Sequence, residues 1–173
     1  PLAGPLLGIL PGSRESEVKR LLPLFLEAFD QLVAETPDLT GVIPAATDDL
    51  NALIQAMIGE RSICVVHGQS RQVMGAVTTV LLASGTAALE AVLTGRPTVA
   101  AYRMNPLTYW MVRGQLQTEF VTLPNFLAKQ ALIPEFIQGD ASVHSIVDAI
   151  TPMLTEGPTA HFLMEAQKIH ESL

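Results

Sequence analysis

Short apolar runs alternate with amphipathic helical patterns along this chain, and the alternation predicts its fold. The apolar runs cover residues 6–10, 40–44, 63–66, 80–83, the β-branched run after Pro97, and 119–123. The helical patterns cover residues 15–35, 48–58, 69–76, the stretch after Thr86, 141–154 and 159–171. Buried strands that alternate with helices are typical of a parallel sheet covered on both faces. We therefore predict one α/β domain over residues 1–173, a Rossmann-like doubly wound parallel sheet.

Two prolines interrupt this regular pattern. Pro23 lies inside the first helical pattern, where its missing backbone N–H should kink the helix or restart it. Pro106 begins a predicted helix in the segment 104–116, which carries an apolar stripe around Trp110. Such a stripe suits the core or, as an alternative, a surface that lies against a membrane or acyl chains.

The stretch from Thr79 to Arg103 has the pattern of strand, tight turn, helix and strand, and its turn carries candidate chemistry. Ser84, Gly85 and Thr86 follow a buried strand, where the N–H groups and the dipole of the next helix favour an anion. Glu90 comes four residues after Thr86 and therefore lies one turn along the helix on the same side. Its carboxylate could accept hydrogen bonds from two adjacent hydroxyls, as a ribose offers. The alternative interpretation is an ordinary capped helix with an acid near its start.

An earlier strand-turn-helix junction contains Pro11, Gly12, Ser13 and Arg14. Ser13 is a natural helix cap, and the acids that follow it suit the first helical turn. In the functional interpretation Arg14 supplies a fixed positive charge for a diphosphate. In the alternative it is a surface arginine beside a capped helix.

Net charge and hydropathy exclude several classes of function. The chain has 173 residues and a formal net charge of −7, which argues against a nucleic-acid partner. Residues 91–134 contain four basic residues and one acidic residue, so this part either faces an anionic partner or forms a solvated basic face. Hydrophobic residues make up 49% of the chain and the mean hydropathy is +0.35. No apolar segment approaches the roughly 20 residues that span a bilayer.

Cysteine, histidine and motif content narrow the chemistry further. Cys64 is the single cysteine and lies in an apolar run, which predicts a buried, inert thiol in a reducing compartment. The histidines lack metal-ligand spacing, so we predict no metal site and no cofactor. Neither a G-x-G-x-x-G nor a G-x-x-x-x-G-K-[ST] motif supports a dinucleotide or NTPase function. Because the chain does not start with Met and has no signal-peptide pattern, we expect a mature piece or an excised fragment.

Three long motifs occur in order over nearly the whole chain. They are LPGSRESEVKRLLPLFLEA (residues 10–28), ASGTAALEAVLTGRPTVAAYRMNPLTYWM (83–111) and LPNFLAKQALIPEFIQ (123–138). Together they resemble the carboxyl-terminal domain of the lipid-A-disaccharide synthase family. The resemblance implies one half of an inverting GT-B glycosyltransferase, in which two Rossmann-like domains face each other across a cleft. It further implies transfer of 2,3-diacylglucosamine from its UDP donor to 2,3-diacylglucosamine 1-phosphate (lipid X), with a β-1,6-linked disaccharide and UDP as products.

The resemblance also implies which residues bind the UDP-sugar. They are Gly12, Ser13, Arg14, Gly68, Ser84, Gly85, Thr86, Glu90 and Asn125. Arg14 would contact the diphosphate, the turn at Gly85 would hold phosphate through backbone amides, and Glu90 would hold the ribose. Asn125 would lie at the cleft near the donor, and the loop with His67 is a weaker candidate for the uracil. No metal is implied, because Arg14 and a helix amino terminus can neutralise the leaving UDP.

Two departures from the family pattern limit what we expect. Where the family reads LAGR, this chain has Lys129 and Gln130 as the last two residues, so the role of that arginine is absent or passes to Lys129. The half that should carry the acceptor site and the general base is missing from the chain. We therefore expect this chain alone not to catalyse transfer.

The resemblance places the protein in the cytoplasm, at the inner face of the inner membrane of a Gram-negative bacterium. The basic central segment and the stripe around Trp110 would suit that lipid surface, and a homo-oligomer is left open. One alternative is another GT-B enzyme that uses UDP-N-acetylglucosamine, or a related 2-epimerase. Another is a non-catalytic nucleotide-binding module.

Overall fold

A computed structural model describes residues 4–83, 85–104 and 120–173. Its strands are β1 Leu6–Leu10, β2 Thr40–Ala45, β3 Ile63–His67, β4 Thr79–Leu82, β5 Thr98–Tyr102 and β6 Glu135–Ile137. Its helices are α1 Glu15–Glu35, α2 Asp48–Ile58, α3 Ser70–Ala76, α4 Thr86–Leu93, α5 Leu123–Ala128, α6 Val143–Glu156 and α7 Ala160–Ser172, and a 3₁₀ turn covers Gln138–Asp140. Strands and helices alternate as the sequence pattern predicts.

The six strands form one sheet in the order β3-β2-β1-β4-β5-β6, and every neighbouring pair is parallel. From β1 the chain winds outward through β2 to β3, then crosses back to β4 and winds outward in the opposite direction. The winding direction therefore reverses between β1 and β4, which is where open parallel sheets bind ligands. The predicted doubly wound α/β fold is confirmed.

Two hydrophobic clusters cover the two faces of the sheet. Residues of a strand alternate between the faces, and β4 shows this with Leu81 in one cluster and Val80 and Leu82 in the other. The first cluster includes buried residues of α1, α2 and α6, and the second includes residues of α3, α4 and α7. Burial of β4 on both sides explains why its sequence is continuously apolar.

Helix α1 differs from the sequence prediction at two points. It runs without interruption through Pro23, which lies on its exposed side, so the predicted restart is wrong. Its N-cap is Arg14 and not Ser13, and no hydroxyl caps it. The carboxylate of Glu17 reaches back to the start of the helix instead.

The last predicted strand and the environment of the cysteine are also corrected. Residues 120–122 contain no strand and α5 begins at Leu123, while the sixth strand is Glu135–Ile137. Cys64 is exposed and not buried, because β3 lies at the edge of the sheet and one of its sides lacks a full cover. The stripe around Trp110 lies outside the residues that the structure describes.

Candidate functional site

The two turns singled out from the sequence lie next to each other at the switch point of the sheet. The parallel register pairs Leu10 with Leu82, the last residues of β1 and β4. The amide of Ala83 donates to the Leu10 carbonyl over 2.9 Å, so the two strands end at the same level. The turn into α1 and the turn into α4 therefore emerge side by side.

A cavity of about 370 Å³ lies between these turns. Its lining combines both turns with the ends of β2 and α3. The lining residues are Leu10, Gly12, Ser13, Arg14, Glu17, Pro44, Ala46, Ser70, Met74, Ala83, Gly85, Thr86, Ala87 and Glu90. The structure thus brings together six residues of the predicted site, which are Gly12, Ser13, Arg14, Gly85, Thr86 and Glu90.

The first turn, residues 11–14, is held by a side chain that follows it. Glu17 accepts hydrogen bonds through Oε2 from the amides of Ser13 and Arg14, at 3.1 and 3.4 Å. Its other oxygen lies 3.1 Å from Nη1 of Arg14. Gly12 has a φ of +119° and faces the same carboxylate. The Glu17 side chain is only 19% exposed, whereas that of Arg14 is 78% exposed, so the acid is packed and the guanidinium reaches solvent.

The second turn, residues 83–86, is open by comparison. Gly85 has φ 138° and ψ −161°, a backbone conformation almost restricted to glycine. Among the described residues, a Cβ built on Gly85 would meet no atom within 4 Å, so none of them fills the space beside this backbone. Thr86 begins α4 and is exposed. Ser84 belongs to the predicted site but lies outside the described residues.

Glu90 lines the cavity one helical turn beyond Thr86, as its spacing predicts. Its carboxylate is 40% exposed, and its Oε2 lies 3.6 Å from Nε of Arg71 on α3. Arg71 is 78% exposed and follows Ser70, which also lines the cavity. Two cation–carboxylate pairs therefore flank the cavity. Arg14 and Glu17 lie at the first turn, and Arg71 and Glu90 join α3 to α4.

The loop with the weaker uracil candidates is not part of this cavity. Neither His67 nor Gly68 is among its lining residues, although Ser70, close behind them, is. His67 is exposed, and its Nδ1 lies 3.3 Å from Oδ1 of Asp48. The structure thus leaves the uracil contact of this loop as a prediction.

Asn125 occupies a different environment from the other predicted ligands. It is buried in α5, and its amide makes hydrogen bonds of 2.8 Å to both the N–H and the carbonyl of Ile133. Its Nδ2 also donates to Glu135, 2.8 Å away. It lines a separate cavity of about 520 Å³. Its amide group thus ties α5 to the start of β6, and its predicted contact with the donor stays a prediction.

Two residues near the site were not predicted as functional. Glu17 stands three residues after Arg14, the position from which an acid reaches back to a helix cap, but the sequence analysis predicted Ser13 as that cap. Arg71 gave no such signal, because its proximity to Glu90 depends on how α3 packs beside α4.

The acidic and metal-ligating side chains of the described ranges add no metal site to this cavity. No cluster of three His, Cys, Asp or Glu side chains there is arranged to hold a metal ion. A hydrogen bond from Lys19 lowers the pKa of Glu15, but Glu15 does not line the cavity.

Comparison with protein families identifies relatives over nearly the whole chain. The family described as Lipid-A-disaccharide synthetase matches residues 1–172. Lipid-A-disaccharide synthase of Pseudomonas putida F1 is 40% identical over 156 residues, which cover 89% of this chain and 42% of that relative. The protein of the same name from Pseudomonas putida W619 is 41% identical over 157 residues, with 90% and 42% covered. The chain thus spans about two fifths of the length of the curated relatives it matches.

Solved structures show the same fold. A TarM mutant from S. aureus, solved with Fondaparinux, alpha-GlcNAc-glycerol and UDP, matches with a TM-score of 0.57 and 14% identity. The match covers 97% of this chain and 31% of that structure. At this identity the likeness concerns the fold alone, and it agrees with the predicted Rossmann-like doubly wound sheet.

Proposed function

The chain belongs to the lipid-A-disaccharide synthase family, and we propose that it is the part of such an enzyme that binds the UDP-sugar donor. The complete enzyme would transfer 2,3-diacylglucosamine from UDP to 2,3-diacylglucosamine 1-phosphate and release UDP. The observation that carries the proposal is the cavity at the switch point, which joins Arg14, the turn at Gly85, and Glu90. Relatives of about 40% identity favour this function over that of a 2-epimerase or a regulatory module.

Each part of the cavity suits one part of a uridine diphosphate. Glu90 has a half-exposed carboxylate that can accept two hydrogen bonds from the ribose hydroxyls. No described residue fills the space beside the backbone at Gly85, so a phosphate could approach the amides at the start of α4. Arg14 adds a positive charge at the cavity mouth, where its guanidinium reaches solvent.

These contacts would also assist the reaction. In transfer from a UDP-sugar the bond between the anomeric carbon and the diphosphate breaks, and negative charge develops on the leaving phosphate oxygen. A guanidinium and a helix amino terminus fixed beside that oxygen stabilise the charge as it forms. The acceptor site and the general base are expected outside this chain.

The test is calorimetric titration of the chain with UDP in the presence of EDTA, with uridine and NAD as comparison ligands. We expect saturable UDP binding that survives chelation, weaker uridine binding, and no binding of NAD. Glu90→Ala should weaken UDP binding, whereas Glu60→Ala should not. Glu60 follows α2 and precedes β3, so it lies at the amino ends of the parallel strands, whereas the cavity lies at their carboxyl ends. It therefore provides a matched acidic control.

The outcomes separate the alternatives. Equal losses in Glu90→Ala and Glu60→Ala would count against a specific ribose contact. Loss of binding on chelation would contradict the metal-independent site. A binding preference for UDP-N-acetylglucosamine over the diacylated donor, measured on a protein that also contains the acceptor half, would favour a different glycosyltransferase.

We further propose that the protein works at the surface of the inner membrane, where its lipid substrates would reside. No helix in the described parts of the chain is long and apolar enough to cross a membrane. Large apolar side chains at the start of and along α5 are nevertheless exposed; they are Val121, Leu123, Phe126 and Leu127. Lys129 follows them and is also exposed. Such a surface suits the headgroup region of an anionic bilayer.

Two basic residues of the central segment are less suited to this role. Arg96 donates to the Gly75 carbonyl over 2.7 Å, and Arg103 donates to the Ala141 carbonyl. Both therefore hold the fold together, and reversing their charges would disturb it.

Co-sedimentation with vesicles of phosphatidylglycerol and phosphatidylcholine tests the membrane proposal through α5. We expect binding to anionic vesicles that falls in Phe126→Ser and persists in the control Leu173→Ser, whose side chain is 72% exposed at the chain end. Equal binding by both variants would contradict a role for α5.

A further inference from the structure

The first turn of the cavity contains its own anion. Glu17 accepts hydrogen bonds from the amides of Ser13 and Arg14 and pairs with the Arg14 guanidinium, so both of its carboxylate oxygens are engaged. A phosphate bound by this turn would need the same two amides. The carboxylate therefore occupies the position that an incoming phosphate would need.

The glycine at position 12 leaves room for the Glu17 side chain to stay in this position. A Cβ built on Gly12 would lie 2.5 Å from Oε2 of Glu17 and 2.7 Å from its Cβ. Only a residue without a side chain leaves room for the acid to fold back over the turn. The φ of Gly12, +119°, also favours glycine. The missing side chain of Gly12 and the folded-back carboxylate of Glu17 thus depend on each other. From the sequence motif alone, this turn looks the same as one that binds phosphate.

From these contacts we propose that Glu17 is a positioning residue for Arg14. It fills the amides of the first turn and orients the guanidinium, so a ligand diphosphate meets Arg14 and the open turn at Gly85. The inference rests on the proposed function and deepens it, because it gives the two turns different roles: the first binds through the Arg14 side chain and the second through backbone amides. The amides of Ser13 and Arg14 then make no contact with the ligand.

A double-mutant cycle with UDP and uridine tests the proposal. We expect Glu17→Ala to weaken UDP binding about 3- to 10-fold through loss of the oriented guanidinium, with uridine binding unchanged. In an Arg14→Ala background the same substitution should have no further effect, because the residue it positions is gone. Glu15→Ala is the matched control, since Glu15 pairs with Lys19 on the same helix and touches neither turn.

Glu17→Gln is a second variant in case Glu17→Ala does not fold. Its amide oxygen can still accept a hydrogen bond from the turn, but it cannot pair with the charge of Arg14, so a folded variant with weakened UDP binding is expected. Tighter UDP binding in Glu17→Ala or Glu17→Gln would show that the acid competes with phosphate and would overturn the proposal. Equal losses for UDP and uridine would also overturn it, because they would indicate a general structural role.

A measurement without ligand separates this proposal from the proposed function. Amide hydrogen exchange at Ser13 and Arg14 should be slow in the unsubstituted chain and should accelerate in Glu17→Ala, but not in Glu15→Ala. Unchanged exchange would overturn the proposal. Absence of UDP binding to the unsubstituted chain, with the exchange result as expected, would instead contradict the UDP site and leave the internal anion established.

Discussion

The two turns of the cavity come from the same kind of strand-turn-helix junction but differ in how their donors are used. In the first turn Glu17 fills the amides, and the space beside Gly12 is occupied. In the second turn no described residue fills the space beside Gly85. A glycine at a strand-turn-helix junction can thus make room for a side chain of the protein itself or leave space that a ligand could enter. The two cases are distinguished by the atoms that a Cβ built on the glycine would meet, which are those of Glu17 at Gly12.

The largest expected effect tests this contrast through stability. Gly12→Ala forces a Cβ into Glu17 at a positive φ, so overpacking and backbone strain together should cost about 2–4 kcal/mol of unfolding free energy. The Cβ of Gly85→Ala meets no atom of the described residues within 4 Å, so this variant should lose only the strain energy, about 1–3 kcal/mol. Urea unfolding of both variants measures the difference. A larger loss for Gly85→Ala would contradict the assignment of the filled and the open turn.

The next effect concerns the ribose contact proposed for the second junction. Glu90→Ala would remove the proposed charge-assisted hydrogen bonds to the ribose and should weaken binding by about 1–3 kcal/mol. Because uridine carries the same ribose, its affinity should fall by a similar factor. Titration of both ligands checks this, and a loss confined to UDP would contradict a ribose contact.

Substitution of the first junction should show the opposite selectivity. Arg14→Ala should cost about 1–2 kcal/mol of UDP affinity, since one exposed cation that contacts phosphate is lost. Uridine lacks phosphate and should bind as before. The ratio of the two affinities, measured in one buffer, is the readout. An unchanged ratio would show that Arg14 does not contact the diphosphate.

The sequence predicts the fold and the place of the cavity, because both depend on local patterns. Apolar runs mark the strands, and the switch point brings the motifs around Arg14 and Gly85 together. Features that depend on distant partners were not predictable. Cys64 lies in an apolar run, but its exposure depends on β3 being an edge strand. The hydrogen bonds of Asn125 depend on Ile133, eight residues away, and on the fold between them.

The sixth strand shows a different limit. Glu135–Ile137 is too short to display an alternating pattern, whereas the apolar run before it resembles a strand and contains the start of α5 instead. Pro124 provided the missing signal, because proline is favoured in the first turn of a helix.

The smallest expected effect concerns Arg71, which stands beside Glu90 as Glu17 stands beside Arg14. This pair is longer, at 3.6 Å, and both groups are exposed, so it should contribute no more than about 1 kcal/mol. Arg71→Ala removes a positive charge near the diphosphate and also frees Glu90 for the ribose. These effects oppose each other, and we expect UDP affinity to fall less than about 3-fold at low salt and hardly at all at physiological salt. Uridine affinity should stay the same or rise slightly. A loss as large as that of Glu90→Ala, retained at high salt, would make Arg71 a direct ligand and give the second junction the same division of roles as the first.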